Sequence, residues 1–335
     1  MKRKGQVFEK VYSFEHLLTS FQKAKKGATQ NQELHQFYFE LEPRLLRLSE
    51  SLMNGAYQPA PYRYFTLRDP KRREIAVAPF VDRVVHHAVV GILEPIFDPS
   101  FIYDSYATRK GKGTHAALER SQHFLKKYRW FFKTDIDQYF ASIHHNTLLK
   151  LITRKIKDHR LMELIEKIIR NGGKEGYGLP IGNLTSQFFA NVYLNPFDHF
   201  VKEELRIKGY LRYMDDFVLF SHEKEGLKSD IIAIENYLKE QVQLRLKSTN
   251  SFLNQRSNGL SFLGARVFTQ QIRIHRTNLK RSKKKLIEKR LAYQNGNISQ
   301  EKYVESLQSR WAYLNWFDSH SIRRDWAEDT FDPDL

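Results

Sequence analysis

The amino-acid sequence predicts an α+β fold in which helices pack against an antiparallel sheet. The opening stretch repeats apolar residues at helical spacing, which predicts one buried face: Leu34, Phe37, Phe39, Leu41, Leu45, Leu46, Leu48 and Leu52. In residues 210–220, two β-favouring runs flank a turn-sized centre, which predicts a hairpin. Residues 130–143 predict a further strand, and residues 179–200 a turn followed by a helix.

Two basic segments flank this central part of the chain. Residues 59–127 alternate strand-like pieces, at 62–67 and 74–78, with a helical run at 84–96. Residues 273–290 contain nine basic residues and one acidic residue. We expect this second segment to be one helix with a narrow apolar stripe formed by Leu279, Leu286, Ile287 and Leu291.

The composition favours a globular protein with a polyanionic partner. The 335 residues are 41% hydrophobic, which is enough to bury a core. Lys and Arg number 55 against 38 Asp and Glu, which gives a formal net charge of +17. Nucleic acid is the first partner that such an excess indicates. A basic surface that is only solvated is the alternative.

The chain contains no cysteine, so disulfides, thiolate zinc sites and cysteine nucleophiles are excluded. Any metal ion must therefore bind oxygen or imidazole. Charged residues, Glu9, Lys10 and Glu15, interrupt what would be the apolar core of a signal peptide, and no apolar stretch approaches the length of a membrane span. We therefore expect a cytoplasmic protein that has no membrane partner.

The hairpin at residues 210–220 would present two adjacent carboxylates, Asp215 and Asp216, at its tip. Taken alone, this could be an ordinary solvated turn. A second apolar strand, however, ends upstream at Asp135, where its side chain could reach the hairpin. Three converging carboxylates repel one another unless a hard cation neutralises them, and oxygen ligands suit Mg²⁺. Two such ions, about 3.5 to 4 Å apart, can promote phosphoryl transfer.

Other polar motifs have simpler interpretations. Asp137 follows Asp135 on the same face of the expected strand, one pleat further on, so we expect it at the surface or behind the site. The histidine pairs at 86–87 and 144–145 are expected to pack rather than bind metal, because adjacent side chains diverge. Residues 111–114 lack the ending of a phosphate-binding Walker motif.

The motifs of this chain resemble those of reverse transcriptases. Residues 213–216, Tyr-Met-Asp-Asp, resemble their motif C, and residues 135–140 resemble their motif A. The basic run at 69–73, the segments 105–107 and 111–115, and residues 259–264 resemble the two fingers motifs and the primer grip, in the same order. The resemblance covers nearly the whole chain. No lysine is clearly in register with motif D near residues 248–250, so no general acid is assigned there.

The resemblance implies a right-hand polymerase fold with fingers, an antiparallel palm and a short helical thumb. It divides the chain into four parts: an N-terminal helical extension at 1–58, fingers at 59–127, a palm at 128–270 with part of 150–180 contributing to the fingers, and a thumb with the C-terminal tail at 271–335. The implied activity is RNA-directed DNA synthesis from deoxynucleoside triphosphates on a template RNA, extending a primer into cDNA.

The resemblance also implies roles for the residues that match the family motifs. Asp135 and Asp215 would bind two Mg²⁺ ions, for which Mn²⁺ could substitute. Asp216 would support these ions, and the Ile136 carbonyl would add an oxygen ligand. Phe140 falls where a bulky ring excludes a ribose 2′-OH and so selects deoxynucleotides.

Further matching positions are expected to hold the nucleotide and the nucleic acid. The nucleotide would contact Lys71, Arg73, Ile181, Gly182 and Gln187. The nucleic acid would contact Arg83, Lys112, Ser186, Lys280, Lys283, Lys284 and Lys285. The last four belong to the basic segment, which would follow the phosphate backbone without regard to sequence. A helix that is merely solvated is the alternative for that segment.

Motif B indicates a particular branch of the family. Group II intron and retroviral enzymes usually carry glutamine where this chain has Ile181, and Ser-Pro where it has Ser186-Gln187. Both departures occur together in diversity-generating retroelements, and residues 309–312 also resemble those enzymes. Their reverse transcriptases misincorporate opposite template adenines. This resemblance implies a small, basic, oligomeric accessory protein as a partner.

Two other interpretations stay open at this point. The chain could be a reverse transcriptase of a retron or of a phage-defence system. It could instead be a catalytically silent RNA-binding relative, although the presence of all three carboxylates argues against silence.

Overall fold

The computed structural model describes residues 3–26, 32–68 and 72–331. The helices and strands are, in chain order, α1 (Phe8–Tyr12), α2 (Phe14–Lys25), α3 (Gln32–Phe39), α4 (Leu41–Met53), β1 (Arg63–Arg68), β2 (Arg72–Val77), α5 (Phe80–Phe97), α6 (Thr114–Lys127), β3 (Trp130–Asp135), α7 (Tyr139–Ser142), α8 (His145–Thr153), α9 (His159–Arg170), α10 (Leu184–His199), β4 (Gly209–Tyr213), β5 (Asp216–Ser221), α11 (Lys224–Gln241), β6 (Phe252–Gln255), β7 (Leu260–Phe262), β8 (Ala265–Val267), β9 (Ile272–Ile274), α12 (Arg276–Gln294), α13 (Gln300–Asn315) and α14 (His320–Phe331).

The central sheet has four antiparallel strands in the order β4-β5-β3-β6. Successive side chains along a strand point to opposite faces. Phe132 and Phe217 therefore face a core that includes α5 and α10, whereas Phe131 and Val218 face a second core with α6 and the small sheet β7-β8-β9. The prediction of an α+β fold with an antiparallel sheet is confirmed.

The N-terminal helices pack on α5 through aromatic rings. The ring centroids of Phe21 and Phe37 lie 5.4 Å apart, and those of Phe37 and Phe80 lie 5.1 Å apart. The expectation of a single apolar face is wrong for Phe39 and Leu46, which are 93% and 51% exposed. α3 ends at Phe39 and α4 begins at Leu41, so the helical register does not continue from one helix to the other.

The basic C-terminal segment is not one helix. Arg273 lies in β9, where Ile272 and Ile274 are buried on either side of it, and α12 begins only at Arg276. The expected apolar stripe is also shorter than predicted, since Ile287 and Leu291 are about half exposed. The segment begins with a strand, in which buried and exposed side chains alternate with a period of two. The basic residues there hide this alternation, so the sequence predicts a helix instead.

A buried ion pair joins the central sheet to α10. Nε and Nη2 of Arg212 donate to the two carboxylate oxygens of Asp198 at 2.7 and 2.6 Å, and both side chains are fully buried. The hydroxyl of Tyr210 also donates to Asp198, at 2.7 Å. Along β4, the segment 104–106 adds backbone hydrogen bonds on both sides of Arg212. The pair therefore fixes the strand that leads to the hairpin.

Within the ranges given above, no helix combines the length and the apolarity that a membrane crossing requires.

We predict that Arg212→Met lowers the free energy of unfolding by about 3–5 kcal/mol, because it leaves the Asp198 charge buried without its partner. Urea denaturation monitored by circular dichroism measures this loss. Arg44→Met is the matched control, since Arg44 pairs with Glu40 at the surface, and such pairs contribute less than about 1 kcal/mol. Equal losses for the two variants would show that burial does not increase the contribution of the Arg212–Asp198 pair to the free energy of unfolding.

Candidate active site

The hairpin between β4 and β5 turns through only two residues, Met214 and Asp215. Met214 has a φ of 59°, which is uncommon for a residue with a side chain and costs conformational energy. Nη1 of Arg212 donates to the Met214 carbonyl at 2.9 Å. The buried ion pair therefore holds the strained turn in place.

The structure brings the three predicted carboxylates to one end of the sheet. Asp135 is the last residue of β3 and lies directly opposite Asp216 on β5, so both side chains point to the same face. The N–H of Ile136 donates to the Asp215 carbonyl at 3.3 Å, which joins the end of β3 to the turn. The side chains of Asp135, Asp215 and Asp216 therefore lie around one shared space.

Two neighbours of the carboxylates were missed by the sequence analysis. The Lys133 ammonium lies 2.9 Å from Oδ1 of Asp216. The Asn250 amide donates to Oδ2 of Asp135 at 2.9 Å, whereas Oδ1 of Asp135 is buried and has no hydrogen-bond partner within the described ranges. Lys133 precedes Asp135 by two residues in a strand, so alternation alone places it on the same face. Nothing near Asn250 in the sequence indicates its contact.

The environment of Asp215 disfavours its negative charge. Burial is the largest cause, followed by repulsion from Asp216 and then from Asp135, and together they raise the pKa of Asp215 to about 6. Arg73 acts in the opposite direction. Since the ordinary value for this carboxyl is near 3.8, the site stores electrostatic repulsion that a cation would relieve.

The donor set fits Mg²⁺, although the described residues include no group of three or more acidic or histidine side chains already arranged around one metal position. One of the three carboxylates, Asp216, is instead paired with Lys133. The buried, unpartnered Oδ1 of Asp135 and the raised pKa of Asp215 both indicate carboxylates that lack a counter-charge. Oxygen ligands of this kind suit a hard divalent cation.

Comparison with known proteins decides the family. Residues 68–267 match the family model described as reverse transcriptase (RNA-dependent DNA polymerase). The chain belongs to the reverse transcriptase family. The protein YkfC of Escherichia coli K12 is 28% identical over 292 residues, which cover 72% of this chain and 75% of YkfC. The group II intron-encoded protein LtrA of Lactococcus lactis subsp. cremoris is 34% identical over 170 residues, which cover 48% of this chain and 28% of LtrA.

Solved structures support the same conclusion for the fold. The apo telomerase of Candida tropicalis, truncated from its C-terminal domain, superposes with a TM-score of 0.50 at 16% identity. The superposition covers 68% of this chain and 59% of the telomerase chain. The expected right-hand polymerase fold of this reverse transcriptase is thereby confirmed.

The residues expected to hold the nucleotide are only partly described. Lys71 lies outside the described residues. Arg73 is exposed on β2 and lowers the pKa of Asp215, so its charge acts on the carboxylate site. Phe140 is half-buried on α7, with its ring edge against Tyr139 at a centroid distance of 5.6 Å.

The segment around Ile181 is fixed to β2 by backbone contacts. The N–H of Ala76 donates to the Ile181 carbonyl at 2.8 Å, and the Asn183 amide donates to the Ala76 carbonyl at 3.3 Å. Gly182 has a φ of 119°, and a Cβ there would lie 2.8 Å from the Ala76 oxygen. Only glycine permits this approach. Ile181 itself is 36% exposed, and Oε1 of Gln187, further along, accepts from the Thr108 hydroxyl at 3.3 Å.

Two residues expected to contact nucleic acid have other partners, and a third is buried. Nη2 of Arg83 donates to the Ala24 carbonyl at 2.9 Å and so ties α5 to α2. The Lys112 ammonium donates to the Tyr103 carbonyl at 2.9 Å and lies 3.4 Å from the centre of its ring. Ser186 is 2% exposed. Ser186 is therefore buried on α10, and its contact with nucleic acid stays a prediction.

The basic helix α12 presents most of its lysines to solvent. Lys280, Lys283 and Lys284 are exposed, and Lys285 is half-buried. The Lys284 ammonium lies 4.0 Å from a Glu288 carboxylate oxygen one turn later. Such a surface suits contact with a phosphate backbone.

The remaining polar motifs have structural roles. The sequence predicts Asp137 on the same strand as Asp135, but β3 ends at Asp135. The Asp137 carboxylate lies at the surface, 4.0 Å from the Lys247 ammonium. His145 is buried and its Nε2 bonds to the Gly178 carbonyl at 2.7 Å, while His144 caps α8 through Nδ1. The burial of His145 agrees with its predicted packing role.

We predict that Asp215→Asn stabilises the metal-free protein at pH 7.5 by about 1–2 kcal/mol, after allowance for partial exposure. The raised pKa means that ionised Asp215 destabilises the folded state fully above pH 6. This cost falls as the pH drops from about 6 toward the ordinary value near 3.8. The gain of the variant should therefore shrink over that interval.

Chemical denaturation in EDTA at several pH values measures this gain. Asp137→Asn, which removes a surface carboxylate, is the control and should show no such gain. A gain for Asp215→Asn that is independent of pH would contradict the electrostatic explanation.

Proposed function

We propose that this reverse transcriptase makes cDNA from a template RNA by two-metal-ion nucleotidyl transfer. The observation that carries the proposal is the meeting of Asp135, Asp215 and Asp216 at one end of the sheet. Among them are a raised pKa and a carboxylate oxygen that has no hydrogen-bond partner in the described part of the chain. Together with the family, these carboxylates support a metal-dependent polymerase.

In the proposed reaction the primer 3′-hydroxyl attacks the α-phosphorus of a deoxynucleoside triphosphate, and pyrophosphate leaves. Asp135, Asp215 and the Ile136 carbonyl would hold two Mg²⁺ ions, or Mn²⁺ ions, with Asp216 in support. When bound, these ions supply charge for the attacking and leaving oxygens. Arg73 and Lys71 would hold the triphosphate by charge-assisted hydrogen bonds. Phe140 would lie against the sugar and exclude a 2′-OH.

The domain assignment forms part of the same proposal. Residues 1–58 form an N-terminal extension, 59–127 the fingers, 128–270 the palm with part of 150–180 added to the fingers, and 271–335 the thumb and tail. The exposed lysines of α12 would follow the template-primer backbone. Lys112, although it is bound to Tyr103 in this structure, lies in the fingers region that would meet the template.

We further propose that the enzyme belongs to a diversity-generating retroelement and is error-prone opposite template adenines. The support is motif B, in which Ile181 stands where accurate relatives carry glutamine, on a segment fixed to β2 by Ala76. A small, basic, oligomeric accessory protein would be its partner.

The similarity to LtrA, an intron-encoded protein, favours a second candidate function in which the enzyme serves a group II intron. The pattern of errors distinguishes the two candidates. Errors concentrated opposite template adenines support the retroelement, whereas a uniform low error rate supports the intron.

We predict that Asp215→Asn abolishes primer extension on an RNA template and leaves RNA binding nearly unchanged. An amide cannot supply the ligand charge that the metal ions require. Extension assays with labelled primer measure the activity, and filter binding measures RNA affinity. Asp137→Asn, with its carboxylate at the surface, should extend normally. Extension by Asp215→Asn at the unmodified rate would remove Asp215 from the metal site.

We also predict that Ile181→Gln lowers misincorporation opposite template adenines more than opposite other bases, with a modest change in total synthesis. A change of about 1.4 kcal/mol in the difference between right and wrong nucleotides alters the error rate tenfold. Deep sequencing of cDNA made by both enzymes on one template measures the error rates. Equal adenine error rates would exclude Ile181 as a determinant of fidelity.

A further inference from the structure

The Lys133 side chain is unusual because it carries a charge into the face of the sheet that holds the carboxylates. Lys133 lies on β3 between Phe132 and Thr134, both of which are buried, and its own side chain is only 13% exposed. A lysine this buried needs an anionic partner. Its partner is Asp216, whose Oδ1 lies 2.9 Å from the ammonium.

The other groups around the carboxylates compensate little of their charge. Asp135 accepts one hydrogen bond, from the neutral Asn250 amide, and its second oxygen is buried without a partner in the described ranges. Arg73 acts on Asp215 electrostatically. Among the described residues, the pair of Lys133 with Asp216 is the one ion pair that the three carboxylates form. Lys133 is thus the closest positive charge recorded at the site.

The Lys133 side chain also borders a cavity. It lines a cavity of about 170 Å³ between β3 and the small sheet, together with Ser261 and Arg266. The Ser261 hydroxyl oxygen, which accepts a hydrogen bond from Arg266 at 2.7 Å, is a polar group in this cavity. Apolar side chains, among them Phe252, make up most of the rest of the lining. The cavity nevertheless gives the flexible lysine stem room to move away from Asp216.

We propose that Lys133 is the counter-cation of the metal-free site: its ammonium neutralises Asp216 until a divalent cation is bound, and then moves toward the cavity. Lys133 is in this view a positioning residue, which acts on the metal site through Asp216. The inference rests on the proposed two-metal function.

Two opposite effects follow from one side chain. In the metal-free protein, Lys133 stabilises the fold because it lowers the repulsion among three carboxylates. At the same time it competes with the metal, since a unit charge about 6 Å from a divalent ion changes its affinity roughly tenfold even at the permittivity of water. The enzyme therefore gains a stable metal-free state at the expense of metal affinity.

The test compares Lys133→Met with Lys202→Met. Lys202 is the matched control, because it is also a largely buried lysine, 20% exposed, and pairs with a carboxylate, Asp104, at 3.1 Å. Binding of Mn²⁺ to the protein alone is measured from the loss of the free Mn²⁺ signal in electron paramagnetic resonance. We expect Lys133→Met to bind Mn²⁺ at least about tenfold more tightly than the unmodified protein, and Lys202→Met to bind it equally well.

A double-mutant cycle between Lys133→Met and Asp216→Asn tests the exchange of partners directly. The melting temperatures of the four proteins are measured in EDTA and in saturating Mn²⁺. We expect a clear coupling between the two positions in EDTA and little coupling in Mn²⁺, because the metal has then replaced the ammonium. If Lys133→Met does not fold, Lys133→Gln serves the same cycle, since its amide can still reach Asp216.

An unchanged Mn²⁺ affinity in the Lys133 variants, or a coupling to Asp216 that is equal in EDTA and in Mn²⁺, would overturn the proposal and leave Lys133 with a purely structural role. Failure of the two-metal function would give a different result. In that case the unmodified protein would not bind Mn²⁺, and Asp215→Asn would extend primers normally.

Discussion

The buried ion pair of Arg212 with Asp198 is the interaction on which the catalytic end of the sheet depends. The guanidinium donates to Asp198 on α10, to Asn191 about two turns earlier on the same face of that helix, and to the Met214 carbonyl in the turn. It thereby connects a helix, a strand and a strained turn through one side chain. A charge in this position cannot be left without its partner, so the ion pair also keeps the strand that leads to the carboxylates in place.

Periodicity in the sequence was sufficient to locate the carboxylates and insufficient to describe what surrounds them. A strand with a period of two and a two-residue turn fix the direction of Asp135 and Asp216 locally, so pattern alone brings them together. The contact of Asn250 with Asp135 joins segments 115 residues apart and leaves no local signal. Lys133 and Arg212 did leave a local signal, because a charged residue inside an apolar strand requires a buried partner.

The errors of the sequence analysis have a common physical origin. Helical spacing predicts one buried face that includes Phe39 and Leu46, but a break between two helices resets the register there. The run of basic residues predicts that Arg273 belongs to a helix, although the buried isoleucines on either side of it lie in a strand. In each case the neighbouring residues in space, rather than in sequence, decide the outcome.

In the segment around Ile181, the side chain proposed to affect fidelity is separate from the contacts that hold the segment in place. Its position is set by main-chain hydrogen bonds to Ala76 and by a glycine, Gly182, that permits close approach. The Ile181 side chain takes no part in either. The identity of that side chain is therefore free to vary while the segment stays fixed to β2.

The short turn between β4 and β5 restricts changes in chain length more than changes of residue. Asp135 and Asp216 face the same side of the sheet only because the register of β3, β5 and β4 is kept. One residue inserted or deleted inside either strand would rotate every later side chain to the opposite face. A substitution near this hairpin therefore leaves the register intact, whereas an insertion or deletion preserves it only in the loops beyond the sheet.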